Sequence, residues 1–239
     1  MIQRRQILKA GVASAAFSVF PVSSSSATTS PNAKFRSAHV GVGGMGGADL
    51  SSIASHPSVE VAALCDVDSS RLQAALKKHP NAKGFADYRE MMAAMGDSVD
   101  GVVVSTPDHT HAPAAMTALN AGKPVYCQKP LTHEVFEARR LREVAETNKL
   151  VTQMGIQIHS HVVYRRAVAM IQDGVIGKVS QVHAWSGKNW GYDGQSLPAV
   201  AKVPANLQWN LWSGTAKARP FGPGGSPPGQ WRQTADSRT

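Results

Sequence analysis

The sequence predicts a doubly wound α/β domain built on a parallel sheet, followed by an incomplete α+β unit. Three observations predict it. Short apolar runs alternate with helical patterns between residues 35 and 154. The first run closes on a glycine turn, Gly41-Val42-Gly43-Gly44-Met45-Gly46, and the helical pattern Ala48, Leu50, Ile53, Ala54 follows it directly. After residue 156 the alternation gives way to one helix-like stretch, one strand-like stretch and a Gly/Pro-rich tail.

Residues 1–27 stand apart. Arg4 and Arg5 precede Ile7, Leu8 and Lys9, a weakly apolar run and a serine-rich stretch of small residues, the pattern of a twin-arginine export signal. The apolar run is broken by Gly11, Ser14 and Pro21 and is too short to span a bilayer, so no membrane attachment is expected after processing. The expected location is the periplasm. Residues 28–34 form a linker, 35–156 the first domain and 157–239 the incomplete second one, with disorder expected from about residue 220.

Strands are expected at 38–42, 59–65, 83–85, 101–105, 124–127 and 151–154, and six strands complete one Rossmann domain. The helix at 112–121 should stop at Gly122, a favourable residue after a helix C-terminus, and Pro124 forbids continuation. Across 134–148, Val135, Ala138, Leu141 and Ala145 share one face, which leaves Arg139, Arg140, Arg142, Glu143 and Glu146 in solvent. A further helix is expected at 161–173, then a turn at Gly174 and Gly177, then a strand at 178–185 that would open a mixed or antiparallel sheet.

The formal net charge is +9, and removal of Arg4, Arg5 and Lys9 with the leader lowers it to about +6, with no dense basic block. Aromatic residues are few and do not interleave with the basic ones, which argues against nucleic acid as a partner. The two cysteines, Cys65 and Cys127, end the second and fifth strands. In the strand order 3-2-1-4-5-6 these lie about 14 Å apart, beyond disulfide reach. Neither has a metal-site spacing, so two free thiols and no metal are expected.

The glycine turn carries the first functional reading. Glycines permit a tight turn and let the backbone approach a pyrophosphate, and the following helix offers free N–H groups. Asp66, twenty residues beyond Gly46 at the end of the second strand, is placed to take ribose hydroxyls. Ligands of such sheets bind beyond the carboxyl ends of the strands, where two segments stand out: Ser105-Thr106-Pro107-Asp108-His109-Thr110-His111 and Cys127-Gln128-Lys129-Pro130. Taken alone, His109 and His111 would cap the next helix, Lys129 would be a surface lysine and Asp66 a turn acid.

With these segments, Cys65-Asp66-Val67-Asp68 followed by Arg71, Gly122 to Pro130, and Trp209-Asn210-Leu211-Trp212, the chain resembles the Gfo/Idh/MocA oxidoreductases over about residues 35–220. The resemblance implies NAD or NADP as cofactor and a sugar or polyol-like small molecule as substrate. It implies that Gly41, Gly43, Gly44, Met45 and Gly46 cradle the pyrophosphate and that Asp66 and Arg71 flank the adenosine ribose. Thr106, Pro107, His109, His111 and Gln128 then complete the cofactor site, Lys129 is the catalytic lysine, and His159 or His161 lies near substrate. An ammonium at the substrate hydroxyl favours the developing alkoxide as hydride leaves carbon. Asp66 favours a free 2′-hydroxyl whereas Arg71 suits a 2′-phosphate, which leaves NAD and NADP both open.

Two departures from that family stand out. Its usual Glu-Lys-Pro is Gln128-Lys129-Pro130 here, which removes a negative charge beside the lysine. No Asp-x-x-x-His pair follows Lys129, and the resemblance gives out near Gln230, Trp231 and Arg232, so the second domain is expected to be cut short. Trp185, Trp190, Trp209 and Trp212 are then expected to lie exposed without partners. The resemblance implies association through a second-domain sheet, which this chain is expected to lack, so no oligomeric state is assigned. The rival readings are a relative that holds the dinucleotide without turnover, serving as a binding module, and a methyltransferase; Gln128-Lys129-Pro130 argues against the latter.

Overall fold

The computed structural model describes residues 34–185, 187 and 199–222. The export signal expected at 1–27, the linker up to residue 33, Trp190 and the tail from residue 223 lie outside the described residues.

Six strands, β1 (Phe35–Val40), β2 (Val59–Cys65), β3 (Lys83–Phe85), β4 (Gly101–Val104), β5 (Val125–Gln128) and β6 (Thr152–Gly155), form one sheet in the order β3-β2-β1-β4-β5-β6. Every neighbouring pair is parallel. The crossovers are α1 (Met45–Ala54), α2 (Ser69–Lys78), α3 (Tyr88–Met95), α4 (His111–Asn120) and α5 (Val135–Thr147). The chain starts in the middle of the sheet and winds outward in both directions, so the loops after β1 and β4 diverge and leave a crevice between them.

Both faces of the sheet are covered, which is why the strands read as nearly continuous apolar runs. Ala38, Val40, Ala63, Cys65, Val104 and Cys127 pack with Met91 of α3, Ala115 and Leu119 of α4 and Leu141 of α5. On the other side Val42, Val61 and Leu64 meet Leu50 of α1 and Leu72 and Ala75 of α2. The full burial of Leu64 and Leu119 contributes about 2 kcal/mol each. Ser37 pairs with Val61 but Ala38 with Ala63, so Ala62 is an extra residue. That bulge resets the two-residue alternation, and Val61 and Leu64 therefore meet the same helices although they are an odd number of residues apart.

Helix ends follow local chemistry. Asp68 accepts the amides of Ser70 and Arg71 and starts α2. At the end of α4 the Gly122 amide reaches Leu119 and the Lys123 amide reaches Ala118, both at 3.0 Å, with Gly122 at φ 72°. That double closure needs a residue tolerant of positive φ, and Gly122 supplies it. Glu134 and Glu137 form a reciprocal capping box on α5.

After β6 the chain forms α6 (Val162–Gln172), whose apolar residues Val162, Val163, Met170 and Ile171 are exposed. The strand expected at 178–185 does not form: these residues are exposed and no described segment offers them a ladder. Alternation supplies a face but not the neighbouring backbone that a strand requires. Trp185 is 88% exposed, as expected. Trp209 and Trp212 correct the expectation of exposure. They lie in and beside α7 (Trp209–Ser213), stack with centroids 4.8 Å apart and form a small core with Leu207 and Phe221, against which Val67 packs. Their partners come from the first domain and from residues near 221.

No helix among the described residues is long and apolar enough to cross a membrane.

Candidate functional site

The carboxyl ends of β1, β2 and β4 open on a cleft of about 1060 Å³, counting its mouth. Gly41 and Gly43 form its floor, Asp66, Asp68 and Arg71 one wall, and Thr106 and Pro107 another. Tyr88 and Arg89 flank it, and Leu207 with residues 210–215 closes it from above.

Gly41 is required by contact. A Cβ there would lie 2.7 Å from the Ser105 carbonyl oxygen, whereas one on Gly43 would lie 2.5 Å from Cδ of the movable Arg71 side chain. Gly44, at φ 53°, has nothing within 4 Å of such a Cβ, so the turn presents bare backbone to open space. α1 begins there with no side-chain cap, and the amides of Gly43, Gly44 and Met45 find no acceptor among the described residues. A helix N-terminus with free amides favours an anion. Gly46 is buried beneath the turn.

A second feature lies beside the same cleft. Among the described residues the hydroxyl of Thr106, a lining residue, is buried without a hydrogen-bond partner. Such an orphan costs about 1–3 kcal/mol, a cost that a ligand oxygen or amide would remove. Free amides at the turn and an unsatisfied hydroxyl across from them fit a dinucleotide lying along the carboxyl edge.

Asp66 is committed in part. Its carboxylate oxygens accept the amides of Val42 and Asp68, each at 2.9 Å, and each oxygen keeps a further lone pair for a ribose hydroxyl. Burial holds its pKa above the ordinary carboxylate value, against the pull of those amides and of Arg71. Arg71 Nε lies 3.6 Å from Asp68, with the Arg71 side chain 43% exposed.

His109 serves the roof. Its Nε2 donates to the Trp212 carbonyl at 2.8 Å, its ring meets the Trp212 ring edge-on at 5.0 Å, and its own carbonyl accepts from the Thr215 hydroxyl at 3.2 Å. Burial holds this imidazole below its ordinary pKa. On the opposite side the Asn206 amide donates to Asp68 at 2.8 Å, Ser69 N–H to the Asn206 carbonyl at 2.8 Å, and Gln208 N–H to Val67 at 3.0 Å. Residues 206–215 are thus fastened to both loops that frame the crevice.

Five of the expected site residues are placed elsewhere. His111 is 1% exposed, with Nδ1 2.6 Å from the Pro130 carbonyl oxygen and Nε2 2.8 Å from that of Thr106, so its ring joins two loops and leaves no nitrogen for a cofactor. Gln128 is buried and gives its amide to Asp49. His161 caps α6, its Nδ1 accepting from Val163 N–H at 3.3 Å, while His159 stacks on Tyr164 at 5.3 Å. Both are exposed and neither lines the cleft, because the segment after β6 leaves the sheet. Lys129 is exposed just past β5 and is also outside the cleft lining.

The cleft therefore gathers Gly41, Gly43, Asp66, Arg71, Thr106 and Pro107, with Gly44 and Met45 exposed at the turn. Sequence reasoning missed Asp49 and Asn206. Asp49 left a signal, since it is the one charged residue of α1 and sits beside Leu50 on the buried side. Asn206 left none.

A family model described as an oxidoreductase family with an NAD-binding Rossmann fold matches residues 35–156. The chain is 35% identical over 147 residues to an inositol 2-dehydrogenase of Salmonella typhimurium, a match covering 60% of this chain and 43% of that one. Among solved structures it is similar to scyllo-inositol dehydrogenase from Lactobacillus casei with bound NAD(H) and scyllo-inositol, at TM-score 0.57 and 25% identity, over 60% of this chain and 42% of that one. It is also similar to a 3-ketoreductase from Actinomadura kijaniata in complex with TDP-benzene and NADP, at TM-score 0.55 and 27% identity, over 61% and 45%. The chain thus spans less than half the length of these relatives.

Proposed function

Because the chain belongs to the Gfo/Idh/MocA oxidoreductase family and carries its NAD-binding Rossmann fold, we propose that it holds NAD or NADP in the cleft and serves oxidoreduction of a sugar or polyol-like hydroxyl. The observation that carries this is the glycine turn at the cleft, where the Gly43, Gly44 and Met45 amides have no acceptor among the described residues, together with Thr106, a cleft-lining residue whose buried hydroxyl has no partner among them. When bound, the nicotinamide supplies hydride chemistry. The chain's own residues bind and orient: the turn amides take the pyrophosphate, Asp66 and Arg71 flank the adenosine ribose, and residues 206–215 exclude water from above. Lys129 holds or moves the proton of the substrate hydroxyl, a role supported by its place at the end of β5. We further propose export by the twin-arginine route, supported by Arg4, Arg5 and the apolar run after them.

Titration of the purified protein with NADH and NADPH, followed by a screen of polyols and sugars for reduction of NAD and NADP, tests the reading. Binding with turnover supports it in full. Binding without turnover supports a dinucleotide-holding module, and absence of binding at millimolar nucleotide overturns both.

A further inference from the structure

A buried acid lies behind the lysine. Asp49, 8% exposed on α1, accepts the Gln128 side-chain amide at 3.1 and 2.9 Å and the Ser105 hydroxyl at 2.7 Å. Gln128, 3% exposed at the end of β5, turns its carbonyl oxygen to the Lys129 N–H at 3.1 Å. The two neighbours make opposite demands. The Asp49 carboxylate only accepts and a backbone N–H only donates, so the Gln128 amide has one orientation that serves both.

We propose that Asp49 is a positioning residue for Lys129, acting through Gln128 and fixing where the lysine leaves β5. The inference rests on the reading of Lys129 as the lysine of the site. The network ties three elements together: α1, whose first turn frames the dinucleotide, β4 through Ser105, and β5 through Gln128. The Asp49 carboxylate thus reaches the Lys129 backbone through a single intervening side chain, that of Gln128. A charge-assisted, water-excluded bond holds its partner more firmly than a neutral one, and truncating the acid leaves the Gln128 amide and the Ser105 hydroxyl unsatisfied.

The test compares D49N, D49A, Q128E and the transposed D49N/Q128E variant with the unaltered chain. Two quantities are read: hydrogen exchange of the Lys129 amide by NMR, and kcat and KM on a polyol beside Kd for NADH. D49N and D49A are expected to speed Lys129 amide exchange about fivefold. They should lower kcat about tenfold or more while Kd for NADH stays within about twofold. Q128E alone places two carboxylates together and is expected to be impaired. The transposed variant returns a single carboxylate to the pair and is expected to recover both readouts beyond the sum of the single changes.

Unchanged Lys129 exchange in D49N, or a transposed variant no better than that sum, overturns the proposal. Should D49A fail to fold, the isosteric D49N and the transposed variant decide. Should the unaltered chain bind NADH without turnover, the exchange readout decides alone, and the loss falls on the catalytic reading, not on Asp49.

Discussion

His111 ties Pro130 to Thr106: its Nδ1 lies 2.6 Å from the Pro130 carbonyl oxygen, while Nε2 lies 2.8 Å from the Thr106 carbonyl. The loops after β4 and β5 are thereby fixed to one another through a side chain 1% exposed. Replacement of His111 by Ala is expected to lower the unfolding free energy by about 2–4 kcal/mol, measured by urea melts. A loss below about 0.5 kcal/mol would show that the clamp contributes little.

Thr106 should behave in the opposite way. Thr106→Val keeps the shape and removes the orphaned hydroxyl. The ligand-free protein is expected to gain about 1 kcal/mol of stability while NADH affinity weakens about fivefold. Thermal melts with and without NADH check both signs, and equal shifts in the two conditions would refute the assignment.

His39 sets a pH dependence of stability. It is 1% exposed on β1, donates from Nε2 to the Ser37 hydroxyl at 3.0 Å and is pushed down to about 4 by burial, with the nearby His79 adding to the effect. The unfolded chain takes up this proton near pH 6.5 and the folded one only near 4. Its contribution is therefore constant above about pH 6.5 and is lost progressively as pH falls toward 4, by about 3 kcal/mol in all. Unfolding free energies across that window should fall less steeply in His39→Leu than in the unaltered chain.

Cys65 and Cys127 should resist alkylation. Both are buried and unpaired, and burial pushes the Cys65 thiol up and the Cys127 thiol up to about 12. The thiolate is the reactive form. Mass spectrometry after iodoacetamide treatment at neutral pH should find no label on the native protein and two labels after denaturation.

Much of the sheet was legible because its information is local. Strand runs, the stop at Gly122 and Pro124, and the order of parallel strands follow from neighbours in sequence and from the handedness of crossovers. The bulge at Ala62 was not, because apolar alternation does not say which residue is extra. That Gly41, Gly43 and Asp66 meet at one cleft was legible, because their spacing is fixed by one βαβ unit. The fates of His111 and Gln128 were not, since each is decided by a partner far away in the chain, Pro130 and Thr106 for one and Asp49 for the other. The roof was hidden for the same reason: Asn206 meets Asp68 across 138 positions.

That separation has a consequence for biosynthesis. While the polypeptide emerges from the ribosome, the sheet through residue 155 is complete long before Asn206, Trp212 and Phe221 have been made. The cleft therefore gains its cover last, and a chain shortened to the stretch that matches the family model would keep the glycine turn but leave the cleft open to water from above.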